Sequence, residues 1–290
     1  MLDVIVCNVR LGQCVLFYPH DNPAKYSMMV DCGHEGGFHP VDLFISLKDL
    51  EKNGNGQYEI GNLTLTNYDH DHFSGLPYLL KKARFKTVNF ANNLSVKELL
   101  DMKDEETEAL MALVGLRNTY SRTATDYTPP YQKTVFSLSV GDLGAAGITP
   151  STNHLSQMVF VEVGNVMICI PGDLEADSWE VMLKKPGVQK LLKKTNIFFA
   201  SHHGRENGYH GKVFDYCFPD CVIISDKEVV HGTQQGMAAD YGKHVLGDGI
   251  VLEGPMGKKD RRKVITTRND GHLWINIDAQ GNVRYMARKS

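Results

Sequence analysis

The chain has 290 residues, 42% hydrophobic and 22% charged, which is ordinary for a globular fold able to bury a sizeable core, and it is read as one domain spanning residues 1–290. With 31 Lys and Arg against 34 Asp and Glu the net charge is −3, which excludes a chain-wide basic footprint and leaves only a local groove for nucleic acid. No run of 18 apolar residues occurs, so no membrane partner is expected.

The first residues, "MLDVIVCNVRLGQCVLFYPH", carry Asp3 and Arg10 inside an apolar run, a buried strand rather than a leader peptide. "VIVCNV", "QCVLFYP" and "YSMMVDCG" read as strands, and "PVDLFISLKDLEKNG" as a helix stopped at Asn-Gly. "YEIGNLTLTNYDHDH" is a strand running into a dense polar motif. Residues 95–117 read as one helix capped by Ser95 and Glu98, with "DMKDEETE" as its solvated face. After the loop 121–133 a second strand-rich block follows: "TVFSLSVGDL", "MVFVEVG" and "VMICIPGD". A helix over 174–194, the strands "NIFFASHHG" and "CVIIS", and a hairpin over 272–285 complete the chain. The six cysteines, Cys7, Cys14, Cys32, Cys169, Cys217 and Cys221, are scattered, which fits small buried hydrophobes in a reducing, cytoplasmic setting rather than disulfides.

Three clusters of ligand-type residues follow apolar strands. Asn67, Asp69, Asp71 and His72 follow "LTLT"; Asp173 follows "VMICIPG"; His202 and His203 follow "IFFAS". A lone "DHDH" is usually a solvated loop. Three such clusters at strand ends favour a metal site, because strands hold loops where ligands converge with little entropic cost. Asp173 suits a carboxylate shared between two cations. His70, between ligands, is expected to point away. The basic run 254–263 lacks phosphate-loop spacing and reads as a solvated turn, and Lys184, Lys185, Lys190, Lys193 and Lys194 as a wet helix face. For His210, His231, Asp240, Tyr241 and His244, placed near the pocket, the structural role is favoured.

These motifs resemble the metallo-β-lactamase superfamily: residues 67–72, N-Y-D-H-D-H, align with H-x-H-x-D-H, followed by "PGD" and "SHHG". The order Gly12-Gln13, Asp31-Cys32-Gly33, Asn153 to Ser156, Gly172-Asp173, His202 to Gly204 and Thr267 to Gly271 is similar to the hydrolase domain of ComEC-type competence proteins. The resemblance implies an α/β (α+β) four-layer αββα sandwich with a metal site at one edge of two sheets. It implies hydrolysis by metal-activated water, with one or two divalent ions, manganese or zinc. The expected ligands are Asp69, Asp71, His72, His154, Asp173 and His203, with Asn67 and Asn153 as weak ligands. Asp31 either backs the first motif or caps a turn. Asp71 or Asp69 is expected to hold or accept from the attacking water, and His202 to steady developing charge.

Asn67 and Asp69 stand where the family pattern has histidines, so the first metal position is expected to be rich in oxygen donors and biased towards manganese. The leading expectation is a hydrolase of a phosphodiester or other phosphate-containing substrate, small molecule or nucleic acid. The alternative is a metal-poor, non-catalytic module binding a nucleotide or a protein partner. Lactone or thioester hydrolysis shares the scaffold but not the ComEC-like motifs.

Overall fold

Successive residues in most strands send their side chains into two different cores. Val4, Val15, Phe17, Met28 and Val30 pack with Val159, Val161, Ile168, Ile170, Ile197, Phe199 and Ile223 in a layer between two sheets. Their neighbours Ile5, Leu16, Met29, Phe160, Cys169, Phe198 and Val222 pack outward, with Phe44, Leu79, Leu113, Trp179, Met182, Val188 and Leu192 from helices. Strands covered on both faces read as continuous apolar runs rather than alternating ones. Each large aliphatic side chain so buried contributes about 1.5–3 kcal/mol. The result, in a computed structural model describing residues 1–47, 50–91, 94–122, 127–227 and 233–288, is the expected αββα sandwich.

The larger sheet runs, edge to edge, Lys259–Arg262, Ile250–Glu253, Val283–Arg288, His272–Ile277, Leu2–Val6, Val15–Pro19, Met28–Val30, Tyr58–Thr64 and Ala83–Asn89. The smaller runs Val264–Thr266, Cys221–Ile224, Thr195–Phe199, Val166–Ile170, Met158–Val163 and Gln132–Phe136. In the first sheet the strands starting at Met28, Tyr58 and Ala83 are mutually parallel, and in the second those starting at Val166, Thr195, Cys221 and Val264. Parallel strands end at a common edge, so the segments after Val30, Thr64, Ile170, Phe199, Ile224 and Thr266 open together, and the motifs carrying Asp71, His72, Asp173 and His203 lie in three of them.

Several boundaries differ from the sequence expectations. The helix over 95–117 is two, Val96–Asp101 and Glu108–Thr119, with Thr107 capping the second through Leu110 N–H. Pro186 divides the helix over 174–194 into Ala176–Met182 and Pro186–Leu192, because proline cannot continue the hydrogen-bond ladder. "TVFSLSVGDL" leaves the sheet at Phe136 and turns into the helix Val140–Ala145 behind a Ser139–Asp142 capping box. The basic run around 254–263 is the turn and outer strand of a hairpin, with Lys259–Arg262 exposed. Among the described residues no helix is long and apolar enough to cross a membrane.

Lys133 ties the open edges of the two sheets. From Gln132–Phe136 it donates to Asn62 Oδ1, Thr64 Oγ1 and Asn89 Oδ1 on two strands of the other sheet. These acceptors are neutral, and burial pulls the ammonium down to about 7. The unfolded lysine titrates near ~10.4, so above about 7 the unfolded chain binds more protons and folding stability rises with pH. Thermal unfolding of the wild type should therefore gain midpoint between pH 7 and pH 9 relative to Lys133→Met; parallel pH dependences would dismiss the buried charge.

Candidate metal centre

Asp31 follows the strand Met28–Val30 in a left-handed backbone conformation (φ 59°) and is fully buried. Its carboxylate accepts from Thr66 N–H (2.7 Å), Thr66 Oγ1 (2.6 Å), Gln13 Nε2 (2.9 Å) and His72 Nδ1 (2.9 Å). A carboxylate only accepts, so it holds the proton of His72 on Nδ1 and leaves the Nε2 lone pair facing the centre. The two early glycine motifs grip the next residue. A Cβ on Gly33 or Gly12 would lie 2.1 or 2.3 Å from the Asp71 carbonyl oxygen, which also accepts from Gln13 N–H. The residues Asn153 to Ser156 act through Ser156, whose Oγ accepts from Asp173 N–H.

His202, His203 and Gly204 all have left-handed backbones (φ 49°, 54° and 73°), a run that costs energy at the two histidines and sends their rings different ways. His203 Nδ1 donates to the Ser225 carbonyl (2.9 Å), so its Nε2 lone pair also faces the centre. There Nε2 of His72 lies 3.0 Å from Asp173 Oδ1, and Nε2 of His203 lies 3.1 Å from Asp71 Oδ2 and 3.6 Å from Asp173 Oδ1. His72 Nε2, His203 Nε2 and Asp173 Oδ1 are buried without a hydrogen-bond partner. Four acceptors thus converge with no donor among them unless the imidazoles take up protons. Burial pushes the Asp71 and Asp173 carboxyls up, yet the imidazoles of His72 and His203 outweigh it and hold both low. Burial also opposes protonation of the imidazoles, but the carboxylates raise both above the ordinary histidine value. Protons therefore occupy a position that a divalent ion satisfies, and two imidazole nitrogens with two carboxylates suit zinc or manganese.

The structure brings Asp71, His72, Asp173 and His203 together and leaves the other expected ligands outside that group. Asp69 Oδ1 accepts from Lys103 Nζ (2.7 Å) and Thr152 Oγ1 (2.6 Å). Asn67 accepts from Asp69 N–H and donates to Asn153 Oδ1, and Asn153 donates to Glu175. His154 Nδ1 is held by Ser151 and the Thr149 carbonyl, with Nε2 at 3.4 Å from Glu175 and 3.2 Å from Asp177. Asp69 Oδ1, Asn67 and Asn153 thus bond to groups of the chain, and the oxygen-rich group that converges beside them is His154 with Glu175 and Asp177. His202 is buried beside Asp173 (3.9 Å); Arg205 donates to its Nε2, and its Nδ1 lies 3.7 Å from Glu175. Burial, with Arg205 adding to it, lowers its tendency to protonate.

His70 is exposed, as expected. His210 pairs with Glu180, Asp240 with Lys243 and His244 with Tyr209; Tyr241 is buried, and His231 lies outside the described residues. Sequence reasoning missed Lys103, placed in an acidic run, and Asp226. The Asp226 carboxyl, pushed up to about 6 by burial against the pull of Arg268, sits under the Thr267-Arg268 motif. Its signal was the unexplained arginine in that motif.

The metallo-β-lactamase superfamily model matches residues 9–210. No curated protein sequence matches the chain. Solved structures similar to it include unliganded yeast PDE1, 11% identical, covering 94% of this chain and 99% of that one with a TM-score of 0.51. The metallo-β-lactamase fold protein YhfI of Bacillus subtilis is 11% identical, covering 85% and 95% with a TM-score of 0.48. Zn-bound PqqB of Methylobacterium extorquens is 14% identical, covering 66% and 61% with a TM-score of 0.36.

Two measurements check the centre. Gly33→Ala forces its methyl into the Asp71 carbonyl and should weaken divalent-metal binding by about tenfold or more, whereas Gly37→Ala, with open space around it, should not. Metal binding by the wild type should strengthen as pH rises through and above the ordinary histidine value of ~6.5, by up to about tenfold per pH unit for each imidazole proton displaced. Calorimetric titrations at several pH values read both; pH-independent binding would mean the imidazoles are not the ligands.

Proposed function

Because this chain belongs to the metallo-β-lactamase superfamily, we propose that it is a metal-dependent hydrolase of phosphodiesters or other phosphate-containing substrates. The observation that carries the proposal is the convergence of four acceptor atoms, on Asp71, His72, Asp173 and His203, at the shared edge of two sheets. A divalent ion bound there lowers the pKa of water and polarises a phosphoryl oxygen.

The chain's own residues supply the rest. Asp173 and the two histidines are almost wholly buried, whereas the Asp71 side chain is 20% exposed. Asp71 is therefore the carboxylate of the four placed to hold the attacking water by a hydrogen bond. His202, kept neutral, accepts at Nε2 from Arg205 and carries its own proton on Nδ1, 3.7 Å from Glu175, so it holds the guanidinium that steadies charge developing on the substrate. Arg205 and Lys103 at the mouth favour an anionic substrate, and the ComEC-like order of motifs points the same way. Six free, buried cysteines favour a reducing, cytoplasmic setting. A nucleic acid or a small phosphate ester both meet this chemistry.

Metal-stripped protein reloaded with manganese or zinc should cleave bis(p-nitrophenyl) phosphate, and Asp173→Ala should lose metal and turnover together. Metal retention by Asp173→Ala would remove Asp173 from the centre. Full metal loading without cleavage of any phosphodiester, nucleotide or ester offered would favour the non-catalytic binding module instead.

A further inference from the structure

Beside the four convergent acceptors lies a second set of polar groups, and these are bonded to one another. Asn67 Nδ2 donates to Asn153 Oδ1 (2.9 Å), and Asn153 Nδ2 donates to Glu175 Oε1 (3.0 Å), which also accepts from Asn207 (3.0 Å). Asn67 Oδ1 receives Asp69 N–H (2.8 Å). The Asp69 carboxylate, two residues before Asp71, receives Thr152 Oγ1 and the Lys103 ammonium, both on Oδ1. A cation already stands in this half of the site, and it is part of the chain.

We propose that the centre holds one divalent ion rather than two, and that Lys103 supplies the second positive charge, its remaining N–H groups receiving an anionic oxygen of the substrate. The lysine comes from the segment joining the helices Val96–Asp101 and Glu108–Thr119, which the sequence places far from the metal motifs. Its side chain is 19% exposed, so the ammonium is held yet reachable from solvent. Among the described residues its one recorded partner is Asp69, and an ammonium has three donors. A second divalent ion on Asp69 Oδ1 would compete with Lys103 and Thr152 for that oxygen, and one on Asn153 Oδ1 would compete with the Asn67 amide. The other acidic group, Glu175 and Asp177, gathers around His154, whose Nε2 lies within 3.4 Å of both carboxylates, and it includes neither Asp69 nor Asn67.

The inference that Lys103 meets substrate rests on the phosphate-substrate reading above, and its test needs no turnover. Equilibrium dialysis of metal-stripped protein against Mn2+ or Zn2+ should load one ion per chain in the wild type and in Lys103→Met. Calorimetry of the loaded proteins with inorganic phosphate should show affinity lowered by about tenfold in Lys103→Met and Lys103→Gln, and kept within about threefold in Lys103→Arg. Two ions per wild-type chain would overturn the one-ion centre, and loss of the second in Glu175→Gln or Asp177→Asn would locate it at His154. Unchanged phosphate affinity in Lys103→Met and Lys103→Gln would overturn the role of Lys103. Lysine-dependent phosphate binding without phosphodiester cleavage would leave this inference standing and remove the hydrolase.

Discussion

The buried carboxylate of Asp31 is the constraint on which the site depends. It accepts four hydrogen bonds from three separate segments, the Gln13 turn, Thr66 at the end of a strand, and His72. A buried carboxylate stripped of its partners costs several kcal/mol, so these segments are locked together or the fold is penalised. That lock sets the direction of the His72 ring, and backbone contacts from Gly12, Gln13 and Gly33 fix the adjoining Asp71. The positions of the metal-facing atoms are thus determined by residues that do not face the metal.

The opposite wall is built differently. Its ligand loops carry conformational strain, with consecutive left-handed residues at His202 and His203 costing roughly 1–3 kcal/mol each. Hydrogen bonds hold them in place: His202 N–H to the Gly172 carbonyl, Ser201 Oγ to the Leu174 carbonyl, and His203 Nδ1 to Ser225. The strain has a geometric result, because an ordinary strand or helix does not send neighbouring rings to His203's position over Asp71 and His202's position beside Arg205. One wall is fixed by satisfaction of charge, the other by a backbone forced into shape.

The strands were legible as apolar runs because both faces are buried. The sandwich was legible only through the resemblance of the motifs to the metallo-β-lactamase superfamily, and Asp71, His72, Asp173 and His203 were legible because each follows such a strand. Helix interruptions were not, since the break near Lys103 lies in an acidic run that is a good helix former, and local propensity gave no sign that the lysine reaches back to Asp69. The strand Lys259–Arg262 was hidden by its charge, and Ile250–Glu253 by its length of only four residues. Asn67, Asp69 and Asn153 read as ligand types in a ligand motif. Their engagement with one another depends on segments more than eighty residues apart, which no local pattern reports.

The outermost strand of the large sheet, Lys259–Arg262, has all four side chains in solvent, three of them cationic. At the opposite margin Arg84 and Lys86 also point outward from Ala83–Asn89. A sheet margin offers unpaired backbone donors and acceptors to any strand that arrives, and a second copy of this chain would bring the same positive charges to the same line. Like charge along both margins therefore works against edge-to-edge joining into a continuous ribbon, the device by which a sheet with open edges resists aggregation.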